Sequence, residues 1–537
     1  MRLVIFTGHP DLRGTAWWSV IADTPGLEAV LICRQLPPGG GGAGRFLKNV
    51  RKHGPLWIPY RLAYAALSLL GRFRTVAPLP QPPARALPVE EFEIAKLASP
   101  EAVAHVTGWH PDLGLSIGAP ILKPALFTIP RMGTLNVHEG AVPEFRGAPP
   151  GFWELWFGAA DIGATVHWID AGLDTGGIVA EARAPIYPAD DVADVQARVE
   201  ELALGLLSHA LRRVTTGDTT ATPQRKGGRT NRSPLLSQRL ALGNRLFWRG
   251  IARRLRNPLY PFKAVFVGLW LALLGPLRDL WRTIRGAHPI RVFTFHRITR
   301  LCRDGMTVSP EVFSRQIEYI TRHHDVVGLD RAMELLRGKE RLRRPAAAIT
   351  FDDGYRSVTE VARPIMDAAG VTGTCFVSTG LVATDRRFAH DETSLVRDWM
   401  AVMDWTEIEA LRADGWSMGG HTANHPRLST LSGEPLRHEI AAPLAELRSH
   451  GGESRPAMAY PFGGPADITP EGVASAREGG YSALFSDFGG ENFPGDDLFA
   501  LRRIEVGGDH ETLMWKAAVR GLDLGGLGRR LRGGGAS

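Results

Sequence analysis

Cysteine is scarce. Cys33, Cys302 and Cys375 are the only three in 537 residues, and no two of them form a CxxC pair. That excludes a disulfide framework and a cysteine-ligated zinc site, and it suits a reducing compartment. The GxxxxGKS/T phosphate loop is missing, which excludes P-loop nucleotide chemistry. The opening MRLVIFTGHP has no basic n-region, long apolar core or small-residue cleavage site, so it reads as a buried first strand of a cytoplasmic protein and not as a signal peptide. The apolar run Ala264–Leu277 is 14 residues, short of the ~20 that a bilayer-spanning helix needs. Acids are almost absent from one stretch. Between Arg225 and Arg285 fourteen Lys/Arg stand against the single acid Asp279, a net +13, so the rest of the chain sums to −6 within the total of +7. The basicity is local, and so is whatever it attracts.

What remains is the composition of a soluble globular protein, 44% hydrophobic and 22% charged. The length calls for at least two cores. Residues 1–215 alternate short apolar runs (LVIFTG, AVLIC, DLGLSIG) with helical patterns, and Val192–Val214 carries apolar residues at helical spacing. This alternation predicts an α/β unit on a parallel sheet. LPPGGGGAG and APLPQPPARALP interrupt it as surface loops. Residues 216–286 form a basic, partly apolar connector. Its apolar run, flanked by Arg and Trp and edged by Lys263, suits either a helix in the membrane interface or one buried between domains. Residues 287–525 are a second α/β unit with strand candidates VFTFH, AAAITF, GTCFVST, PAMAYPF and YSALFS. The Gly/Arg-rich end, 526–537, reads as a disordered tail.

In AAAITFDDG an apolar strand delivers Asp352 and Asp353 onto a turn made at Gly354. Adjacent carboxylates point different ways, so one can bind a metal while the other faces a water. In GGHTANHPRL, His421 and His425 are four apart, which on a helical turn places both imidazoles on one face. Two imidazoles and a carboxylate suit zinc or a related divalent ion. TFDDG, HTANH and YPFG, together with TFHRI, VSPEVFSRQIEYI and LRRIEV, resemble the polysaccharide deacetylase family, which includes the nodulation-type chitooligosaccharide deacetylases. The resemblance implies a distorted (β/α) barrel and removal of an N-acyl (acetyl) group from an aminosugar. In it Asp353, His421 and His425 hold the metal, Asp352 is the base, and a backbone N–H near Tyr460 holds the oxyanion. The family's late histidine, the general acid, has only His510 as a weak candidate. Arg502 or Arg503 would orient Asp352.

The N-terminal unit offers Asn136, His138 and Asp174 within GTLNVHEGAVPEFRGAPPGFWELWFG and GATVHWIDAGLDTGGI. An amide donor, an imidazole and a carboxylate can support acyl transfer. The N-x-H, P-x-x-R-G and L-D-T-G elements resemble the formyltransferases that use 10-formyltetrahydrofolate, among them enzymes acting on glycinamide ribonucleotide, methionyl-tRNA and sugar amines. The resemblance implies a Rossmann-like fold, 10-formyltetrahydrofolate as co-substrate and catalysis by Asn136, His138 and Asp174. EGAV at Glu139–Val142 departs from the PSLL of many members, which bears on substrate class. Trp153 and Trp156 line the pocket or belong to the core.

Joined, the two resemblances imply a bifunctional enzyme acting on an aminosugar or glycan, lipid-linked if residues 245–285 bind the inner membrane face. A deacetylase or deformylase with a non-catalytic formyltransferase-like module is the alternative. A tRNA-binding formyltransferase is another, but a sugar-deacetylase-like domain follows where a tRNA-binding barrel would be expected, which argues against nucleic acid.

Overall fold

The computed structural model describes residues 1–36, 42–54, 56–62, 85–255, 260–338, 340, 342–451, 456–506 and 512–522. The 526–537 tail, His510 and most of the two Pro/Gly-rich stretches lie outside the described residues. The chain divides into two compact units, Met1–Arg256 and Asn257–Ser537. The division falls inside the basic segment.

The first unit is built on a seven-stranded sheet. Its strands are β1 (Arg2–Thr7), β2 (Ala29–Gln35), β3 (Val89–Ile94), β4 (Leu113–Ile117), β5 (Thr134–His138), β7 (Asp161–Trp168) and β8 (Ile178–Pro185), in the order β3-β2-β1-β4-β5-β7-β8. A short pair, β6 (Phe145–Gly147) with β9 (Arg229–Asn231), stands apart. Strands β1 to β5 run parallel. β1 and β4 are buried almost throughout, as expected of parallel strands covered on both faces. The alternation of strand and helix fails at β7 and β8, which are antiparallel to their neighbours. Nine residues separate Trp168 from Ile178, and a parallel crossover needs a dozen or more. The helix Val192–Thr215 covers this end. Asp191 caps it through the N–H groups of Ala193 and Asp194, and its apolar stripe of Val199, Leu202, Leu206 and Leu207 is buried.

The second unit is a closed barrel of seven parallel strands: β10 (Ile290–Phe295), β14 (Ala346–Phe351), β15 (Thr374–Val377), β16 (Ser417–Gly420), β17 (Ala457–Ala459), β18 (Ala483–Gly489) and β19 (Leu501–Glu505). The β10–β14 pairing, Ile290 opposite Ala346 through Phe295 opposite Phe351, closes the ring. Three short strands lie outside it: β11 (Arg297–Ile298) paired with β12 (Thr307–Val308), and β13 (Asp325–Val326) on the start of β14. All five strand candidates of this unit lie on barrel strands. β16 gives no strand signal because it reads SMGG. Its glycines are required by the interior: a Cβ on Gly419 would lie 2.5 Å from the Phe376 ring, and one on Gly420 2.2 Å from the Tyr481 hydroxyl.

The connector's apolar run is longer as a helix than as a sequence. Phe262–Arg285 is helical over 24 residues, long and apolar enough to cross a membrane by length and composition alone. A wide turn at Trp270–Leu274 precedes Pro276, and Pro near the start of the following helical segment does not break it.

Candidate active sites

The barrel site forms where strand ends converge. Asp352 and Asp353 follow β14, His421 follows β16, and Asp353 adopts a left-handed φ of 72° before Gly354. His421 and His425 come together without the expected helical turn. Residues 421–427 are irregular, with Thr422 at φ 63° and His425 at φ 58°. The Thr422 hydroxyl accepts from the His425 N–H at 3.0 Å, so a side chain and two left-handed residues bend the ring back. His421 Nε2 and His425 Nε2 lie 3.4 and 3.3 Å from Asp353 Oδ1. One ligand atom from each of the three residues falls within 4.8 Å of the others.

These residues fit a divalent cation. Both Asp353 oxygens are buried and have no hydrogen-bond partner among the described residues, a state that costs free energy unless something else occupies them. His421 Nδ1 donates to the Ala459 carbonyl at 2.9 Å, which leaves Nε2 as the free lone pair. Burial alone would raise the Asp353 pKa, but the surrounding imidazoles of His425, His296 and His421 hold it well below the ordinary carboxylate range. Burial pushes His425 down to about 4 despite Asp353.

Asp352 is engaged differently. Arg503, fully buried on β19, grips it through two parallel bonds, Nη1 to Oδ1 and Nη2 to Oδ2, both 2.6 Å. Burial opposes ionisation of Asp352, and the Arg503 guanidinium reverses that and lowers its pKa. Arg502 instead points to the Glu491 carbonyl, at 3.1 Å, so Arg503 is the orienting arginine. Tyr460 is buried, and its N–H donates to the Phe485 carbonyl at 3.1 Å. An oxyanion donor near Tyr460 must therefore be another amide.

Two residues without a role in the sequence reading join this site. His296 directly follows β10, and the Phe295–Phe351 pairing sets it beside Asp352; it stood in the TFHRI motif. His390 lies 4.0 Å from Asp353 Oδ2 and pairs with the Tyr355 hydroxyl at 2.8 Å. It belongs to a loop with no periodicity, and no sequence signal marks it.

In the first unit, Asn136, His138 and Asp174 line one cavity of about 600 Å³. Its wall includes Gly8–Pro10 after β1 and Gly118–Leu122 after β4, the carboxyl ends of parallel strands, where open α/β sheets bind ligands. Trp17 lines it, whereas Trp153 turns its indole N–H to the Arg232 carbonyl, 3.0 Å away. His138 Nε2 donates to the Phe145 carbonyl at 2.9 Å, so its Nδ1 carries the lone pair, 3.8 Å from Asp174 Oδ2. His167, also without a role in the sequence reading, faces Asn136 across the β5–β7 pairing. Its Nδ1 donates to the Trp168 carbonyl, so Nε2 accepts from Asn136 Nδ2 at 3.2 Å. Asp174 sits at φ 51°. Arg146 Nε and Gln224 Nε2 donate to its carbonyl at 3.2 and 2.9 Å and fix the turn. Burial lowers the His138 pKa, and Asp174 opposes this only in part.

The first unit is thus an open, mostly parallel sheet with an Asn–His–Asp pocket at the carboxyl edge of its parallel strands, and the second a closed barrel with an Asp–His–His cluster at its rim. Residues 71–211 match the family model described as formyl transferase, and residues 339–484 match polysaccharide deacetylase; the chain carries a domain of each kind. It is 35% identical over 124 residues to a methionyl-tRNA formyltransferase of Citrifermentans bemidjiense, covering 23% of this chain and 39% of that protein. With one from Synechococcus sp. it shares 30% over 172 residues, 32% of this chain and 52% of the relative. The chain thus spans about half or less of these curated relatives. Similar solved structures include IcaB from Ammonifex degensii (23% identity, TM-score 0.36, 43% of this chain and 97% of that one). Another is a sugar N-formyltransferase from Shewanella sp FDAARGOS_354 (17% identity, TM-score 0.29, 45% of this chain and 86% of that one).

Proposed function

We propose that the chain is a bifunctional aminosugar-modifying enzyme of a reducing compartment. The barrel hydrolyses an N-acetyl group, and the first unit transfers a formyl group from 10-formyltetrahydrofolate to an amine, a sugar amine in this reading. The observation that carries the hydrolytic half is the buried Asp353 carboxylate, which has no hydrogen-bond partner among the described residues, lies between two imidazoles and stands next to a second carboxylate locked by Arg503. Asp353, His421 and His425 would hold zinc or a related divalent ion, which supplies Lewis-acid polarisation of the acyl carbonyl and acidifies water. Asp352, oriented by Arg503, takes the proton of the attacking water. Pro461 has no N–H and that of Tyr460 is spent, so the Phe462 amide is the next candidate for the oxyanion. The proton taken by Asp352 passes on to the departing nitrogen, and acetate and a free amine leave.

For formyl transfer, His138 Nδ1 accepts the proton of the attacking amine, and the imidazolium then faces Asp174. The second Asn136 N–H remains for the formyl oxyanion, and the His138 imidazolium returns its proton to the departing N10 as tetrahydrofolate leaves. Because burial keeps His138 neutral, the acid limb of formyl-transfer kcat/KM is expected below the ordinary histidine value of about 6.5. Asp174→Asn removes the charge that raises the His138 pKa, and should move the limb further to acid. A limb at or above 6.5 would contradict this assignment.

The deciding experiment measures acetate and formate released from N-acylated aminosugars by metal-loaded protein. Acetate release is expected. Formate release instead would recast the barrel as a deformylase, and release of neither would remove soluble aminosugars as substrates. A second reading draws support from the relatives named methionyl-tRNA formyltransferase: the formyl acceptor would be the amine of an aminoacyl-tRNA. Formylation of methionyl-tRNA, with sugar amines inert, would establish it.

A further inference from the structure

The helix Phe262–Arg285 has two apolar faces, and among the described residues only one is covered. Its inner face packs on the helix Thr512–Val519: Val267, Trp270 and Ala517 form a buried cluster with Leu271, Met514 and Leu522 against it. Polar contacts pin the same face. Arg282 makes two bonds to the Glu491 carboxylate, at 2.9 and 2.7 Å. Arg278 and Arg520 meet at Asp279. The outer face carries Phe262 (74% exposed), Val265, Phe266, Leu269, Leu273, Leu277, Trp281 and Ile284 (77% exposed). These residues follow three- and four-residue spacing and extend about 35 Å along the helix. Soluble monomers rarely expose so long a contiguous apolar strip.

We infer that this outer face docks in the interfacial layer of an anionic lipid bilayer, with the helix lying in the membrane plane. Three observations choose this occupant. The strip has Lys263 at one end, exposed, and Trp281 with Arg285 stacked 4.3 Å over its ring at the other, the aromatic and basic pairing that suits the headgroup level. The helix itself carries Lys263, Arg278, Arg282 and Arg285 against the single acid Asp279, a net +3; anionic lipid attracts it, whereas pairing with a second copy would bring two such cationic helices together. Finally, the inner face is held by the barrel unit's own residues, so the helix cannot cross the bilayer without abandoning Val267, Trp270 and Arg282's bonds to Glu491. In-plane docking uses only the face that is free.

The test is co-sedimentation of the full chain with vesicles of phosphatidylglycerol and phosphatidylcholine at low salt. Leu269→Asp/Leu273→Asp is the variant, and its melting temperature checks the fold. Binding is read without any activity, so failure here is distinguishable from failure of the hydrolytic reading. The wild type is expected to pellet with the anionic vesicles, to bind at least tenfold less to pure phosphatidylcholine, and to lose at least tenfold in the variant. A wild type that stays in the supernatant would overturn the inference. So would variant binding equal to wild type, or a lipid-free dimer that the same substitutions dissociate, which would assign the face to a second copy.

Discussion

Replacing Asp353 with alanine is expected to abolish both metal retention and acyl release by the barrel. Asp353 is the only carboxylate of the cluster, and both of its oxygens lie buried without hydrogen-bond partners among the described residues. Without it His421 and His425 present two neutral donors and no charge to a divalent ion, and the chelate is lost. The measurement pairs metal content after dialysis with acetate release, beside Asn136→Ala as a control in the other unit. Metal stoichiometry should fall to background in Asp353→Ala and stay intact in Asn136→Ala. Full metal content in Asp353→Ala would remove Asp353 from the ligand set and with it the hydrolytic reading as argued.

Arg503→Met should produce the largest loss of stability of any single substitution in the barrel site. It leaves Asp352 as a buried carboxylate without its two 2.6 Å bonds. Breaking one side of such a pair costs about 3–5 kcal/mol, and at ~2–4 °C per kcal/mol for a unit of this size the melting temperature falls by roughly 6–20 °C. Activity goes too, because the carboxylate that accepts water's proton is no longer held. Asp352→Asn should lose on the order of 10²–10⁴ in rate, the worth of a general base, and it strands the buried Arg503 cation instead; the Asn side-chain oxygen and the Ser486 carbonyl still accept from that guanidinium, so the loss of stability should be real but smaller than in Arg503→Met. Thermal melts and kcat of the two variants check this; equal melting of Arg503→Met and wild type would show that the pair does not hold the site.

The sequence made legible what strong patterns carry. The five apolar strand candidates of the second unit and the Val192–Thr215 helix follow from periodicity, and the two paired motifs name the residues that converge at Asp353. Less legible was anything set by contact across the fold. Only the β10–β14 register puts His296 beside Asp352, and only the β5–β7 register sets His167 against Asn136. The choice between Arg502 and Arg503 depends on which face of β19 turns inward. β16 is hidden because its glycines answer to Phe376 and Tyr481 and not to strand propensity. The HxxxH spacing suggested a helical turn, whereas left-handed Thr422 and His425 reach the same proximity by another backbone path.

The contrast between a closed ladder and an open one bears on how each unit meets other chains during folding. The barrel closes on itself through β10 and β14, so once formed its ring offers no unpaired strand for another molecule to extend. The first unit ends in two edges, β3 and β8. β3 reads VEEFEI, and Arg34 of the neighbouring strand holds Glu91 and Glu93. A copy pairing with that edge would have to bury or break these charged pairs. β8 carries Glu181 and Arg183 and stops at Pro185, which has no N–H to offer a new partner. Both edges thus carry the charges and the proline that keep natural sheets from growing by strand addition. Their protection against aggregation is written into the same strands that support the pocket.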